Sequence, residues 1–497
     1  MVALRQASPN GQVGQVEAHP RSLDPAGTAP PRGNWFARHP AWPLTVLLVG
    51  WPVWWVLGVQ NRMFIVMAIP AVWQMYRWRA TRSRTIRLPP GFGLWLLFLL
   101  VMLAGVATLK LQAPGTLVSS YANRVLSYVA RAIDYFGATV FLLYAGNLTE
   151  SEMPRKRLAW LLGLVGIYAV AGGLLGVLDP HISFTSPIAH LLPQKIQDAV
   201  SSSLNPGTAQ NQPILGFAEG RVKAPFDYTN TWGECLAFLL PWLYVAWRSY
   251  GTRRQGQACL VLLALSIVPI VYSLNRGLWI AVGVAVLYMA LRLAAQGKLV
   301  LLGALCGALA LVAVVIVASP LQGLISSRLA HGKSNTGRAT LSNTALQTAL
   351  ASPVLGWGDT RHAQGSASSI AIGKTANCHR CGNKNVGGNG QLQLLLITTG
   401  FLGSACYVGF FLYGAWRYRR DRTPYGMAGV LVLLLGFVFM FVYEAGGPPL
   451  GFTMLTYALL WRNDRELQNR WAVAEQPGLP AGQAGTGQRS LGTGVPA

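Results

Sequence analysis

What most constrains this chain is a series of long apolar runs almost free of charge, among them 94–109, 158–178, 260–273, 299–317 and 428–442. About 20 apolar residues in a helix span the roughly 30 Å hydrocarbon core of a bilayer. Inside lipid every backbone N–H and C=O must be satisfied by the protein itself, which leaves helices and closed barrels. The runs are continuous rather than alternating, so they are helical. The expected fold class is all-α: a polytopic transmembrane helix bundle.

The formal charge of +24 raises nucleic acid as a partner, but its distribution argues against it. The bases gather in short stretches at the ends of apolar runs: Arg77, Arg79, Arg82, Arg84 and Arg87; Arg155, Lys156 and Arg157; Arg248, Arg253 and Arg254; Arg417, Arg419, Arg420 and Arg422. Every second boundary is basic, which is the positive-inside pattern of a chain whose partner is the bilayer. Counting with that rule gives about twelve spans. They lie near 41–60, 62–76, 91–109, 124–146, 158–178, 228–247, 257–274, 277–296, 299–318, 391–415, 425–443 and 449–461. Residues 1–40 are then a disordered cytoplasmic tail, 41–463 the transmembrane domain and 464–497 a second disordered cytoplasmic tail. Two large loops, about 179–227 and about 319–390, fall on the extracytoplasmic side. No internal repeat is visible, which weighs against a transporter.

Four cysteines, Cys235, Cys259, Cys306 and Cys406, lie in expected spans and read as small apolar residues. Cys378 and Cys381 flank His379 and Arg380 in the second outer loop. Too few further ligands are near for a zinc site, and outside the cytoplasm a local disulfide is the expectation, with metal binding and free thiols as the alternatives. Arg131 and Asp134 stand one helical turn apart and can pair on one face. Trp51, Trp54, Trp55, Trp73 and Trp78 read as an interfacial belt.

Three polar patterns interrupt the apolar frame on its outer side. One is Arg221-Val-Lys-Ala-Pro-Phe-Asp-Tyr-Thr-Asn230. Another is the turn Ser273-Leu-Asn-Arg276-Gly277-Leu-Trp279. The third is Arg338-Ala-Thr-Leu-Ser, then Ser352-Pro-Val-Leu-Gly-Trp-Gly358, then Gly388-Asn-Gly-Gln-Leu-Gln running to Gly400. Leu341, Ala345, Leu346 and Leu350 fall at helical spacing and predict a short helix near 339–350 with one apolar face.

In order and spacing these patterns resemble the O-antigen ligase and O-antigen polymerase superfamily of membrane glycosyltransferases. The resemblance covers roughly 220–405 and the layout of spans. It implies an enzyme of the cytoplasmic membrane with its site facing outward. The donor would be a glycan on undecaprenyl diphosphate, the acceptor a hydroxyl of a lipid or polysaccharide. Transfer would need no metal or other cofactor. The departing diphosphate then needs fixed positive charge, and the planar guanidinium suits it best. On that basis Arg221 and Arg276 are the expected diphosphate ligands, with Lys223 and Arg338 behind them. Asn230 is either a substrate contact or a helix start, and Asn389 is a further substrate contact.

The family's histidine position falls here on Gly388 or Asn389, neither of which can act as a base. His379 is the nearest replacement, with His362, His331, Glu234, Asp227 and Glu444 as alternatives. Ligase and polymerase share these motifs, and a lipid-linked oligosaccharide flippase is the competing reading from a different class.

Overall fold

The computed structural model describes residues 39–82, 84–194, 197, 201–212, 219–318, 322–323, 325–326, 333–363 and 384–474. The expected tails before residue 39 and after residue 474, together with His331, Cys378, His379 and Cys381, lie outside these residues. The chain divides into Met1–Pro40 and a second compact unit, Ala41–Ala497.

The second unit is helical almost throughout, as the apolar runs require. Its helices are α1 (Trp42–Val49), α2 (Trp51–Leu57), α3 (Met63–Ala80), α4 (Phe92–Ala104), α5 (Tyr121–Asn147), α6 (Arg155–Leu178) and α7 (Thr229–Tyr244). They continue with α8 (Arg253–Tyr272), α9 (Arg276–Ala295), α10 (Leu299–Val317), α11 (Lys333–Leu350), α12 (Gln391–Tyr418), α13 (Pro424–Met440) and α14 (Pro448–Ala474). Two short antiparallel hairpins decorate the loops. In one, β1 (Ala209–Gln212) pairs with β2 (Glu219–Val222), placing Gln210 opposite Arg221; in the other, β3 (Arg361–Ala363) pairs with β4 (Lys384–Val386).

Among the described residues five helices, α5, α6, α8, α9 and α12, are long and apolar enough to cross a membrane. Three shorter apolar helices lie at Phe92–Thr108, Leu299–Val315 and α13. The remaining expected spans take other forms. The first, at 41–60, is broken near Gly50 into α1 and α2. The last, at 449–461, begins a longer helix that continues beyond the expected boundary at 463 to Ala474. Residues 464–474 are therefore helix rather than tail. They are held there by polar contacts: Arg417 pairs with Asp464 at 3.0 Å, and Arg465 donates to the Gly146 carbonyl.

Small residues let the helices approach closely, as they do where lipid gives no hydrophobic drive to association. A Cβ on Gly163 or Gly166 of α6 would press on Leu243 or Leu239 of α7, at 2.9 and 3.3 Å. Elsewhere aromatic rings fill the bundle: Trp95, Phe98, Tyr135, Tyr407 and Phe410 pack edge-on and tilted between α4, α5 and α12. Trp51 belongs to this interior and not to a belt. It is fully buried against Phe64, Phe226 and Phe452, because its indole N–H reaches the Pro225 carbonyl at 3.3 Å. Trp78 is also buried, stacked on Tyr144. Cys235, Cys259 and Cys406 are buried free thiols, whereas Cys306 is exposed on α10.

The helix ends sort by charge. At one end Arg84 pairs with Glu152, Arg155 and Arg462 with Glu150, and Arg292 donates to the Arg419 carbonyl. This is where the basic boundaries of the sequence meet. At the opposite end the polar loops converge.

Candidate active-site cavity

A cavity of about 620 Å³ opens where four loop regions meet. Gln60 and Asn61 come from the α2–α3 turn. Gln210, Arg221 and Asp227 come from the first large loop, and Asn230 from the start of α7. Gly388 and Asn389 precede α12, and Tyr443 and Glu444 follow α13. Asp134 of α5 also lines it.

The first sequence pattern builds one wall. Its strand β2 brings in Arg221, which is buried and donates from Nε to the Ser273 carbonyl at 2.8 Å. Past β2 the chain turns, and Asp227 is held by Ser203 at 2.5 Å and by the Gln60 amide. Burial pushes the Asp227 carboxyl above its usual range, against the Ser203 bond and the nearby Lys223 charge. Lys223 is itself buried, and that burial lowers its pKa while Asp227 opposes the change. Lys223 does not line the cavity. Its ammonium lies 3.5 Å from the Asn205 carbonyl. The start of α7 is capped from β1, where Gln210 Oε1 accepts from Thr229 N at 3.2 Å. Capping is thus met by Gln210, and Asn230 faces the cavity.

The second pattern supports that wall from behind. Leu274 adopts a left-handed backbone, with φ of 51°, a conformation uncommon for a bulky residue. Asn275 then caps α9 by accepting from Leu278 N at 2.9 Å, and the Tyr443 hydroxyl donates to the same oxygen. A side chain at Gly277 would lie 2.7 Å from the Tyr443 hydroxyl and 2.8 Å from its ring. Arg276 opens α9 three residues beyond the carbonyl that receives Arg221. Arg221 and the Arg276 turn are therefore in direct contact, although Arg276 is not among the described residues that line the cavity.

The third pattern splits in two. Its first part forms a splice rather than a wall. α12 is kinked at Gly400, whose φ of 64° and ψ of −168° only glycine tolerates. The kink frees the carbonyls of Ile397 and Thr398, and these accept from Trp357 N at 2.7 Å and Gly358 N at 3.1 Å. Phe401 N donates back to the Pro353 carbonyl at 2.6 Å. A Cβ on Gly356 would lie 2.6 Å from Gly400 N, so the paired glycines allow two backbones to touch. The second part reaches the cavity through Gly388 and Asn389, with Gln391 just behind them. Gln391 is buried, donates to the Tyr135 hydroxyl at 2.9 Å and accepts from Ala445 N at 3.0 Å. It clamps the Tyr443–Ala445 turn that carries Glu444.

Several expected residues fall elsewhere. Glu234 is buried on α7 behind the main cavity, facing a second cavity of about 20 Å³ with Gln391 and Tyr407. Its Oε2 has no hydrogen-bond partner among the described residues. His362 is exposed on β3, outside the cavity lining. Arg338 lies on α11, which runs from Lys333 and is longer than the helix expected at 339–350. The apolar stripe of that helix is corrected as well. Ala345 is fully buried with Val386 and Ile397, and Leu341 packs beside it, but Leu346 and Leu350 are exposed. Nor do Arg131 and Asp134 pair with each other. Arg131 bridges to Asp359 and Asp134 to Arg62, each at 3.1 Å, because partners from other segments reach them better than the next helical turn does.

The carboxylates in the cavity are then Asp134, Asp227 and Glu444. Glu444 is exposed to the cavity space yet crowded by protein, and that crowding raises its carboxyl above the usual range while Arg131 draws it down. Asp134 is the cavity carboxylate absent from the sequence candidates, where it was expected to pair with Arg131; the signal available was an ionisable group within a span, which is expensive and points to function. Among the described residues no three of His, Cys, Asp or Glu cluster as metal ligands.

The fold and cavity define a class: a multi-pass helical membrane protein with a polar, charge-lined cavity at the end opposite its basic boundaries. Comparison with known families narrows it. Residues 261–377 match the family described as O-antigen ligase, which supports the O-antigen ligase/polymerase superfamily for this chain. No curated protein and no solved structure matches it. The matched stretch holds the Ser273–Trp279 turn and the Gly356–Gly358 splice, whereas the cavity lining comes from the flanking segments.

Proposed function

We propose that this protein is a glycosyltransferase of the O-antigen ligase type. It transfers a glycan from polyprenyl (undecaprenyl) diphosphate to a lipid or polysaccharide acceptor on the extracytoplasmic face of the cytoplasmic membrane. About twelve spans with both termini cytoplasmic would place the cavity on that face. The observation that carries the reading is the cavity itself, lined by a buried arginine and by the carboxylates Asp134, Asp227 and Glu444, in a chain with an O-antigen ligase match.

In this reading the acceptor oxygen bonds to the anomeric carbon. The carbon–oxygen bond to diphosphate breaks, and its electron pair leaves with the polyprenyl diphosphate. Arg221 meets the charge that develops there, with Arg276, Lys223 and Arg338 adding positive potential. The hydroxyl proton passes to a base. Glu444 is the carboxylate best presented to the cavity, while Asp227 is tied to Ser203 and Gln60. His379 stays in competition with Glu444 for that role, and Glu234 acts at most from behind the lining. Asn230 and Asn389 offer amides to the sugar. Polymerase chemistry uses the same groups with a growing chain as acceptor.

The deciding experiment is transfer of radiolabelled glycan from a polyprenyl-diphosphate donor by the purified protein in liposomes. Product in wild type and its loss in Arg221→Ala supports the reading. Donor translocation without glycosidic bond formation would replace it with a flippase.

A further inference from the structure

Arg62 begins the turn into α3, beside Gln60 and Asn61 of the cavity lining. Its Nη1 lies 3.1 and 3.3 Å from the two oxygens of Asp134, which also lines the cavity. The Arg62 side chain is 44% exposed and Asp134 18%. Its charge acts on Asp227 as well as on Asp134. The guanidinium is therefore one side chain removed from the cavity space. The Arg62 end of the pair is open to solvent, where an ion pair contributes little to stability, so the guanidinium can exchange partners at little cost. A diphosphate carries more charge than one guanidinium neutralises, and Arg221 is the arginine in the lining itself.

We propose that Arg62 is a second anion-binding residue of the cavity, held in waiting by Asp134 and transferred to the diphosphate of the lipid-linked substrate when it enters. This rests on the diphosphate reading of the cavity. Asp134 holds the guanidinium in place in the empty site and competes with the incoming phosphate for it. Arg suits this exchange, because its planar fork fits carboxylate and phosphate oxygens alike.

The two members of the bridge then have opposite effects on binding, which a purely structural bridge cannot give. The full-length protein in nanodiscs is titrated with farnesyl diphosphate as the probe, and thermal stability is recorded for each variant. Arg62→Ala should weaken binding about tenfold, the worth of one lost charged hydrogen bond. Arg62→Lys should recover part of it. Asp134→Asn should bind as tightly as wild type or more so, since the competitor is gone. Equal weakening in Arg62→Ala and Asp134→Asn would make the pair structural and overturn the proposal. Loss of binding in Arg221→Ala with none in Arg62→Ala would overturn it while leaving the diphosphate site standing. A wild-type protein that binds no probe would overturn both.

Discussion

The segments Arg221–Asn230 and Ser352–Gly358 share outward signs in the sequence: a charged or turn-forming start and a proline, in loops expected on the same side of the bundle. They end in different work. Arg221, Asp227 and Asn230 line open space, and Asp227 is buried there, with Ser203 and the Lys223 charge opposing the rise that burial gives its pKa. In the second segment the backbone amides of Trp357 and Gly358 bond to carbonyls of the broken α12, and the Trp357 indole donates to Thr348. Next to it Arg361 is fully buried and donates to the carbonyls of Asp359, Thr360, Trp357 and Leu111. Burial brings its pKa down to about 10, helped by Arg124 and opposed by Asp359, which leaves it charged at neutral pH. A motif whose polar groups are closed on the protein's own backbone builds the frame; one whose groups face a cavity is placed to act on a ligand.

The contrast is tested most sharply by removing its strongest term. Arg221→Ala should lower transfer by about 10² to 10³-fold, the usual effect of deleting one preorganised group at developing charge. Arg221→Lys should restore a fraction, since a point charge replaces a fork. Turnover measured per folded molecule checks this. A loss that tracks only with loss of folded protein would move Arg221 to the frame.

The frame should respond in the other currency. Gly400→Ala puts a side chain at a backbone angle of φ 64° and within 2.5 Å of the Pro353 carbonyl. The backbone strain alone amounts to about 1–3 kcal/mol. The melting temperature in detergent should fall, while the remaining folded fraction still binds a diphosphate probe. Unchanged stability with lost binding would mean that the kink shapes the site directly.

These differences set what could be seen in the sequence. The helical class, the polar loops and their arginines follow from apolar run length and charge placement, and Arg221, Asp227, Asn230 and Asn389 line one cavity. Partners far apart in the chain were out of reach. Asp134 meets Arg62 from 72 positions away, and Arg131 meets Asp359 from 228. Helical spacing alone favoured joining Arg131 to Asp134, because local geometry cannot weigh a distant competitor. Trp51 was misplaced for the same reason: its N–H acceptor is Pro225. The kink at Gly400 was hidden because α12 is apolar on both sides of it.

A smaller effect concerns Glu444. Crowding raises its carboxyl above the ordinary range and Arg131 opposes this. If Glu444 is the base, activity falls as pH drops through that raised value, where the carboxylate is protonated. Glu444→Gln should remove this acid limb along with most of the activity. Arg131→Gln withdraws the opposing positive charge, so the pKa rises further and the limb moves to higher pH. A limb that stays in place in Glu444→Gln would assign the proton to another group, His379 first.

The smallest effect belongs to α11, where the expected stripe divides into a buried and an exposed half. Ala345 has no accessible surface and touches Val386 and Ile397. Leu346, the next residue, is 40% exposed. Ala345→Leu must force extra atoms into a filled space, which costs about 1–3 kcal/mol. Leu346→Ala removes a side chain that is only partly packed, and its effect should stay within about 0.5 kcal/mol. Ala345 acts through Ile397, whose carbonyl receives the Trp357 amide. Overpacking there should therefore loosen the Gly356–Gly400 splice and lower the melting temperature, as Gly400→Ala does. Urea or thermal unfolding of both variants in the same detergent measures the gap. If Leu346→Ala instead lost transfer at full stability, its exposed face would be a contact for substrate, and α11 would move from the frame to the site.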